Sequence, residues 1–113
     1  MPPRDWRIRI EDIVEAASAI AGYVQGLTYE DFAEDRKTVD AVVRNLEVIG
    51  EAARNVPEDV RTRFPELPWL DRADTRNVLI HEYFGVDLTI LWKTASIDLP
   101  AILPALRGVI EGS

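Results

Sequence analysis

The apolar residues of this chain recur at steps of three and four, and that spacing constrains its fold more than any other feature. The first series consists of Ile10, Ile13, Val14, Ala17, Ile20, Ala21 and Val24. The second lies within residues 36–55 and consists of Val39, Val42, Val43, Leu46, Ile49 and Ala53. Such steps place apolar side chains on one face of an α-helix. The sequence therefore predicts two long amphipathic helices, the first ending near Gly26.

Capping residues and prolines predict where the other helices lie. Thr28 is suited to cap a short helical turn, because its hydroxyl can accept a backbone N–H. Prolines on both sides allow one short helix over residues 57–64. A third main helix is expected from Trp69 to Gly85, which is a suitable left-handed C-terminal cap.

A fourth main helix is expected to begin after Asp87, with Leu88, Leu91, Trp92, Ala95 and Leu99 on its apolar face. We expect Pro100 and Pro104 to bend or break it, since proline removes a helical N–H donor. No segment shows the clean alternation of a half-buried strand. The prediction is an all-α, up-down bundle of four to five helices. It forms one domain over residues 1–113, with flexible ends at 1–8 and 108–113.

Composition indicates the compartment and limits the chemistry. The chain has no cysteine, which excludes disulfides and thiolate chemistry and is compatible with the cytoplasm. No apolar run approaches the roughly 20 residues that span a bilayer, so no membrane association is expected. The net charge of −7 disfavours bulk attraction to nucleic acid, unless the few cations converge on one cleft. Otherwise the acidity simply keeps the protein soluble.

Two charged features each allow two interpretations. The acidic run over residues 30–35 is either the solvated start of a helix or a set of metal ligands, and the former is preferred. Arg44 lies four residues after Asp40 and seven before Glu51. It therefore either forms surface ion pairs along one ridge or lines a cleft.

The segment 76–83 concentrates the side chains that suit catalysis. It contains Arg76, Asn77, Tyr83 and the only histidine of the chain, His81. Arginine suits a phosphate oxyanion, histidine suits proton transfer, and the tyrosine hydroxyl can donate a hydrogen bond or accept a group. Asn77 lies one helical turn before His81 and can orient its ring. The alternative is that these residues only pair, cap and pack.

A single helix does not turn Arg76 and His81 toward one ligand, because they point roughly 140° apart at 100° per residue. Metal-independent RNA cleavage gains from a general base, a general acid and a cation on the phosphate. One histidine cannot conveniently act as both acid and base. A two-fold homodimer would supply two copies of each residue.

At these residues the sequence resembles the HepT-like branch of the HEPN superfamily. Arg76, His81 and Tyr83 match its Arg-x4-His-x-Tyr motif, and Asn77 matches the polar residue that commonly follows the arginine. The resemblance extends to residues 40–53, to Pro68-Trp69 and to residues 83–87, and it covers roughly Arg9 to Leu103.

The resemblance implies a HEPN-like bundle that dimerises into a composite active site. It implies a metal-independent endoribonuclease without a cofactor, acting on tRNA or mRNA as the toxin of a toxin–antitoxin pair. By this resemblance, Arg76 stabilises the phosphate, His81 transfers protons and Asn77 supports them. A MntA-like nucleotidyltransferase antitoxin would use ATP to adenylylate Tyr83. The alternatives are a non-catalytic nucleotide- or partner-binding helical dimer, and a structural dimer in which the motif only packs.

Overall fold

The computed structural model describes residues 6–63 and 88–111, and within these ranges it contains helices and no strand. In chain order the elements are α1 (Trp6–Val24), α2 (Tyr29–Glu34), α3 (Arg36–Arg54), α4 (Glu58–Arg63), α5 (Leu88–Lys93), a π-helical segment (Thr94–Asp98) and α6 (Leu99–Glu111). None of these helices is long and apolar enough to cross a membrane. The predicted all-α bundle is confirmed. The single domain over 1–113 with flexible ends stays a prediction, and the helix expected over 69–85 lies outside the described residues.

The core is formed where α1 packs against α3 and α6. Both predicted apolar stripes contribute to it, and the largest fully buried aliphatic side chains include Ile10, Ile13, Ile20, Val39, Val42, Ile49 and Leu91. Ala16 and Ala52 are also buried, although neither was in a predicted stripe. Val14 and Val43 lie at the stripe edges and are only partly buried. Helical periodicity therefore predicted which face of each helix is buried, but it did not predict which residues lie at the edges of that face.

The chain reverses between α1 and α3 through a tightly capped turn. Gly26 has a φ of 78°, a left-handed conformation that favours glycine. Two residues later, the Thr28 hydroxyl accepts the N–H of Asp31 at 3.1 Å, and the Asp31 carboxylate accepts the N–H of Thr28 at 3.2 Å. This reciprocal pair is a capping box, and it confirms Thr28 as the cap of α2.

Pro100 and Pro104 were expected to bend or break the C-terminal helix. The helix continues past both prolines, so they do not break it, and a bend at either one stays a prediction. A π-helical segment precedes Pro100, and there the Leu99 N–H donates to the carbonyl of Thr94, five residues earlier. This wider turn changes the hydrogen-bond register just where the missing N–H of Pro100 would interrupt the α-helical pattern. Pro104 lies inside α6, which runs on to Glu111.

Trp92 connects the C-terminal helices to the N-terminal half of the chain. Its ring centroid lies 5.2 Å from that of the fully buried Phe32 and 6.4 Å from that of Tyr29. Both distances are within the range of favourable aromatic pairs. These contacts hold α5 against α2. In the sequence, α2 precedes the segment 64–87 and α5 follows it.

Candidate functional site

The four predicted site residues lie outside the described part of the structure. Arg76, Asn77, His81 and Tyr83 all fall within residues 64–87. The segment that carries them connects the end of α4 to the start of α5. Their roles, and the composite site, therefore stay predictions.

The exposed side of α3 carries ion pairs within the helix. Arg36 contacts Asp40 at 3.0 Å, Arg44 contacts Glu47 at 3.7 Å, and Arg54 contacts Glu51 at 2.8 Å. The structure therefore supports the surface ion-pair interpretation of Arg44, although the carboxylate is Glu47 rather than Asp40 or Glu51. Exposed pairs one turn apart contribute little to stability.

Two carboxylates of the acidic run act as helix caps. Asp31 completes the capping box of α2, and Asp35 caps α3 by accepting the backbone N–H of Thr38 at 3.3 Å. The Thr38 hydroxyl also donates to Asp35, at 2.7 Å. Within residues 6–63 and 88–111, no three acidic or histidine side chains converge as metal ligands. The geometry favours the helix-start interpretation of this run.

The cap makes the stability of α3 depend on pH. The hydrogen bond from the Thr38 side chain is the main cause that lowers the pKa of the Asp35 carboxyl below its ordinary value. A carboxyl whose pKa is lower in the folded state adds stability above its unfolded pKa of about 3.9 and loses it as the pH falls through the folded value. Asp35 should therefore stabilise the fold at pH 7 and cease to do so once the pH has fallen below the folded-state pKa of its carboxyl.

We expect Asp35→Asn to lower the urea midpoint at pH 7, and we expect this loss to shrink as the pH falls below about 3.9, because asparagine keeps the cap but lacks the charge. Circular dichroism during urea titration at pH 7 and at a series of acidic pH values measures this difference. Glu34→Gln is the control, since it removes the same charge from a neighbour that caps no helix of the described chain. A loss that keeps the same size across the whole acidic series would contradict the prediction.

An aromatic–cationic cluster was missed by the sequence analysis. Arg7 lies over the ring of Trp6 at the start of α1, with its guanidinium carbon 4.9 Å from the ring centroid. Arg63, at the end of α4, lies over the same ring at 5.7 Å. The only sign of this cluster in the sequence was a tryptophan among N-terminal arginines. Arg63 lies 57 residues after Trp6, and no periodicity relates the two positions.

An open groove of about 550 Å³ is lined by residues of α1 and of the C-terminal helices. Ser18, Trp92 and Arg107 are among its lining residues, and Arg107 donates to the Ser18 hydroxyl at 3.2 Å. Most of the lining surface is apolar. The described residues that line the groove include no acid–base pair.

Comparison with known proteins identifies the family. The family model described as "Ribonuclease HepT-like" matches residues 13–109, a range that includes all four motif positions. A protein of Thermococcus cleftensis named as a probable ribonuclease HepT is 47% identical over 99 residues, which are 88% of this chain and 90% of that protein.

Two Methanocaldococcus jannaschii proteins, both described as candidate RNases, are also similar to the chain. They are 38% and 39% identical over 111 residues, or 98% of this chain and 92% of each relative. No solved structure matches significantly. The match covers most of the chain, and the relatives are similar over nearly their full length. The chain therefore belongs to the HepT-like ribonuclease family.

Proposed function

We propose that this protein is a metal-independent endoribonuclease and the toxin of a toxin–antitoxin pair. The observation that carries the proposal is the family match over residues 13–109, which contains an intact Arg-x4-His-x-Tyr motif. The relatives named for ribonuclease activity support the choice of RNA as substrate. We take that RNA to be tRNA or mRNA in the cytoplasm.

The proposed reaction needs no cofactor, because RNA carries its own nucleophile. A general base removes the proton of a 2′-hydroxyl, and the oxygen attacks the adjacent phosphorus. The bond to the 5′-oxygen breaks, and a general acid protonates that leaving group. The products are a 2′,3′-cyclic phosphate and a 5′-hydroxyl. Arg76 stabilises the negative charge on the phosphate oxygens during attack.

A homodimer follows from the number of histidines. The reaction uses a base and an acid, and each chain has only His81. Two protomers related by a two-fold axis contribute two copies of His81 and Arg76 to one composite cleft. Asn77, one turn before His81, orients its imidazole.

Regulation is proposed to act on the motif tyrosine. A MntA-like nucleotidyltransferase antitoxin binds ATP, and the Tyr83 oxygen attacks its α-phosphorus. Pyrophosphate leaves, the phenol loses its proton, and an O-AMP-tyrosine forms. The added nucleotide brings bulk and a negative charge to the cleft, where it repels an RNA phosphate.

One observation favours a second function. The net charge of −7 is unusual for a protein that binds RNA, and it suits a non-catalytic dimer that binds a nucleotide or a protein partner. In that case Arg76 and Asn77 hold a phosphate or carboxylate without turnover. Tight nucleotide binding by a dimer that never cleaves RNA would select this alternative.

We expect the purified dimer to cleave RNA at an undiminished rate in excess EDTA, because the 2′-hydroxyl replaces a metal-bound nucleophile. The measurement is denaturing gel electrophoresis of a labelled transcript, followed by end analysis for 2′,3′-cyclic phosphate. A transcript with 2′-O-methyl groups is the matched control and should stay intact. Loss of cleavage in EDTA, or cleavage of the methylated transcript, would exclude the proposed chemistry.

A further inference from the structure

The groove that α1 and the C-terminal helices line is elongated. At one end Arg107 donates to the Ser18 hydroxyl at 3.2 Å, and it follows Trp92 by fifteen residues of continuous helix, or about 20 Å. At the other end the Trp92 ring lies 6.4 Å from that of Tyr29, just after the turn that follows α1. The long axis of the groove therefore follows the helices. We call it the Arg107 groove and define it by the lining residues Ser18, Gly22, Val24, Trp92, Leu103 and Arg107.

Arg107 is a cation for which the described chain supplies no carboxylate. Its side chain is exposed, and its hydrogen bond within the described residues goes to a neutral hydroxyl, that of Ser18. On α3, by contrast, Arg44 and Arg54 each contact a glutamate of their own helix. The helix dipole does not account for Arg107 either, because no basic residue lies in the last turn of α6. The groove therefore presents an uncompensated positive charge at one end.

The rest of the Arg107 groove is mainly apolar and accessible. Val24 and Leu103 are each 7% exposed, and Trp92 is partly buried against the core. Gly22 is exposed, and a Cβ at that position would meet no heavy atom of the described chain within 4 Å. Glycine weakens a helix relative to alanine, and no contact in the described fold requires it at this position. The α1 side of the groove is therefore open at Gly22.

The shape and charge of the Arg107 groove favour one class of occupant. A small-molecule site typically encloses most of its ligand, which an open groove does not do. RNA binding relies on several cations along the phosphate backbone, whereas Arg107 is the charged residue among those described in the lining. An amphipathic helix fits better, because its apolar anchors at positions i, i+4 and i+7 span about 10 Å along a groove. A carboxylate near one end of that helix would complement Arg107.

We propose that the Arg107 groove is the docking site for an amphipathic, acidic helix of the antitoxin. The apolar side chains of this helix pack on Trp92 and Leu103, and a carboxylate of the helix accepts hydrogen bonds from Arg107. The inference takes the identity of the partner from the proposed function, and the groove supplies the chemistry of the contact. Docking holds the nucleotidyltransferase on its substrate, which raises the effective concentration of its active site at Tyr83.

The first test is a binding titration of the purified nucleotidyltransferase with the full-length protein, without ATP so that no adenylylation occurs. Gly22→Trp places a large side chain in the groove from a position where a Cβ has open space. It should weaken binding roughly 30-fold or more, the effect of losing a central anchor of an interface. Gly108→Trp is the matched control, because Gly108 has the same open space but does not line the groove. It should bind as wild type does.

The second test addresses the charge. Arg107→Glu should weaken binding on the order of tenfold at about 50 mM KCl and less at about 500 mM, because salt screens charges at an interface rim. Arg107→Lys should retain most of the affinity, since it keeps the charge. Ser18→Ala removes the hydrogen bond within the chain but leaves Arg107 charged, and it should bind as wild type does.

The third test separates docking from catalysis by the antitoxin. In steady-state AMP transfer from ATP, Gly22→Trp should raise the KM for the protein substrate and leave kcat unchanged, because saturating concentrations replace the lost contact. A lower kcat with an unchanged KM would overturn the inference. So would wild-type affinity in both Gly22→Trp and Arg107→Glu, or an equal loss in Gly108→Trp.

Other occupants give distinct results, and each would overturn the inference. If Gly22→Trp dissociates the homodimer while the antitoxin still binds, the groove holds a second copy of the chain. If Gly22→Trp cleaves RNA more slowly in the absence of the antitoxin, the groove serves RNA.

The proposed function fails separately. If the antitoxin binds through the groove but RNA stays intact, the docking site stands without the nuclease. If the wild type cleaves RNA and is adenylylated while both groove variants match it, the proposed function stands without the docking site. If the antitoxin does not bind the wild type, the proposed pairing and the docking site are both wrong.

Discussion

Replacing His81 with alanine is expected to lower the rate of RNA cleavage by about 10²- to 10⁴-fold, the usual contribution of general acid–base catalysis. The reason is that His81 is the only histidine and no cysteine is present to replace it. Cleavage of a labelled transcript under single-turnover conditions measures the loss. Growth arrest on expression should disappear in parallel. A variant that cleaves at the wild-type rate would remove His81 from the mechanism.

Mixing the two proteins tests whether the site is shared between protomers. If each active site needs His81 from both chains, a wild-type/His81→Ala heterodimer is inactive. Equal amounts, refolded together, then retain only the activity of wild-type homodimers, about a quarter of the total for random pairing. Independent sites would instead retain about half. The second result would contradict the composite cleft while leaving His81 catalytic. Wild type refolded alone is the matched control.

The sequence predicted the N-terminal half of the fold well because its signals there are local. Periodicity predicted the buried faces of α1 and α3. Thr28 caps the start of α2 through hydrogen bonds to Asp31, three residues later. The predicted second helix over 36–55 differs from α3 by one residue at its end. Such features depend on residues that are close together in the chain, so they can be predicted from one sequence.

Features that depend on tertiary contacts were not predicted. The helix continues through Pro100 with a π-helical turn, and Ala95 and Leu99 beside that turn are buried in the core. Helix propensity alone does not predict these tertiary contacts. The contact of Arg63 with the Trp6 ring joins two helices that are distant in sequence. The residue types of the segment 76–83 were compatible with catalysis and also with a packing role. The catalytic assignment came from the family resemblance. Family membership is confirmed, whereas the arrangement of Arg76 and His81 stays a prediction.

Replacing Tyr83 with phenylalanine is expected to abolish AMP incorporation by the antitoxin and to leave RNA cleavage at the wild-type rate. Phenylalanine keeps the ring but lacks the oxygen that attacks the α-phosphorus of ATP. Wild type incubated with the nucleotidyltransferase and ATP should gain mass in steps of one AMP and lose activity, because the adduct adds charge and bulk to the cleft. Tyr83→Phe should keep its original mass and stay active under the same conditions.

Tyr23→Phe is the matched control, since Tyr23 is 44% exposed on α1 and tests whether any accessible tyrosine accepts AMP. It should be modified and inhibited as fully as wild type. AMP on the Tyr83→Phe protein would place the regulated position elsewhere. Loss of cleavage by Tyr83→Phe without the antitoxin would instead assign the hydroxyl a role in the reaction. The regulatory role holds only if loss of the hydroxyl removes inhibition and leaves catalysis intact.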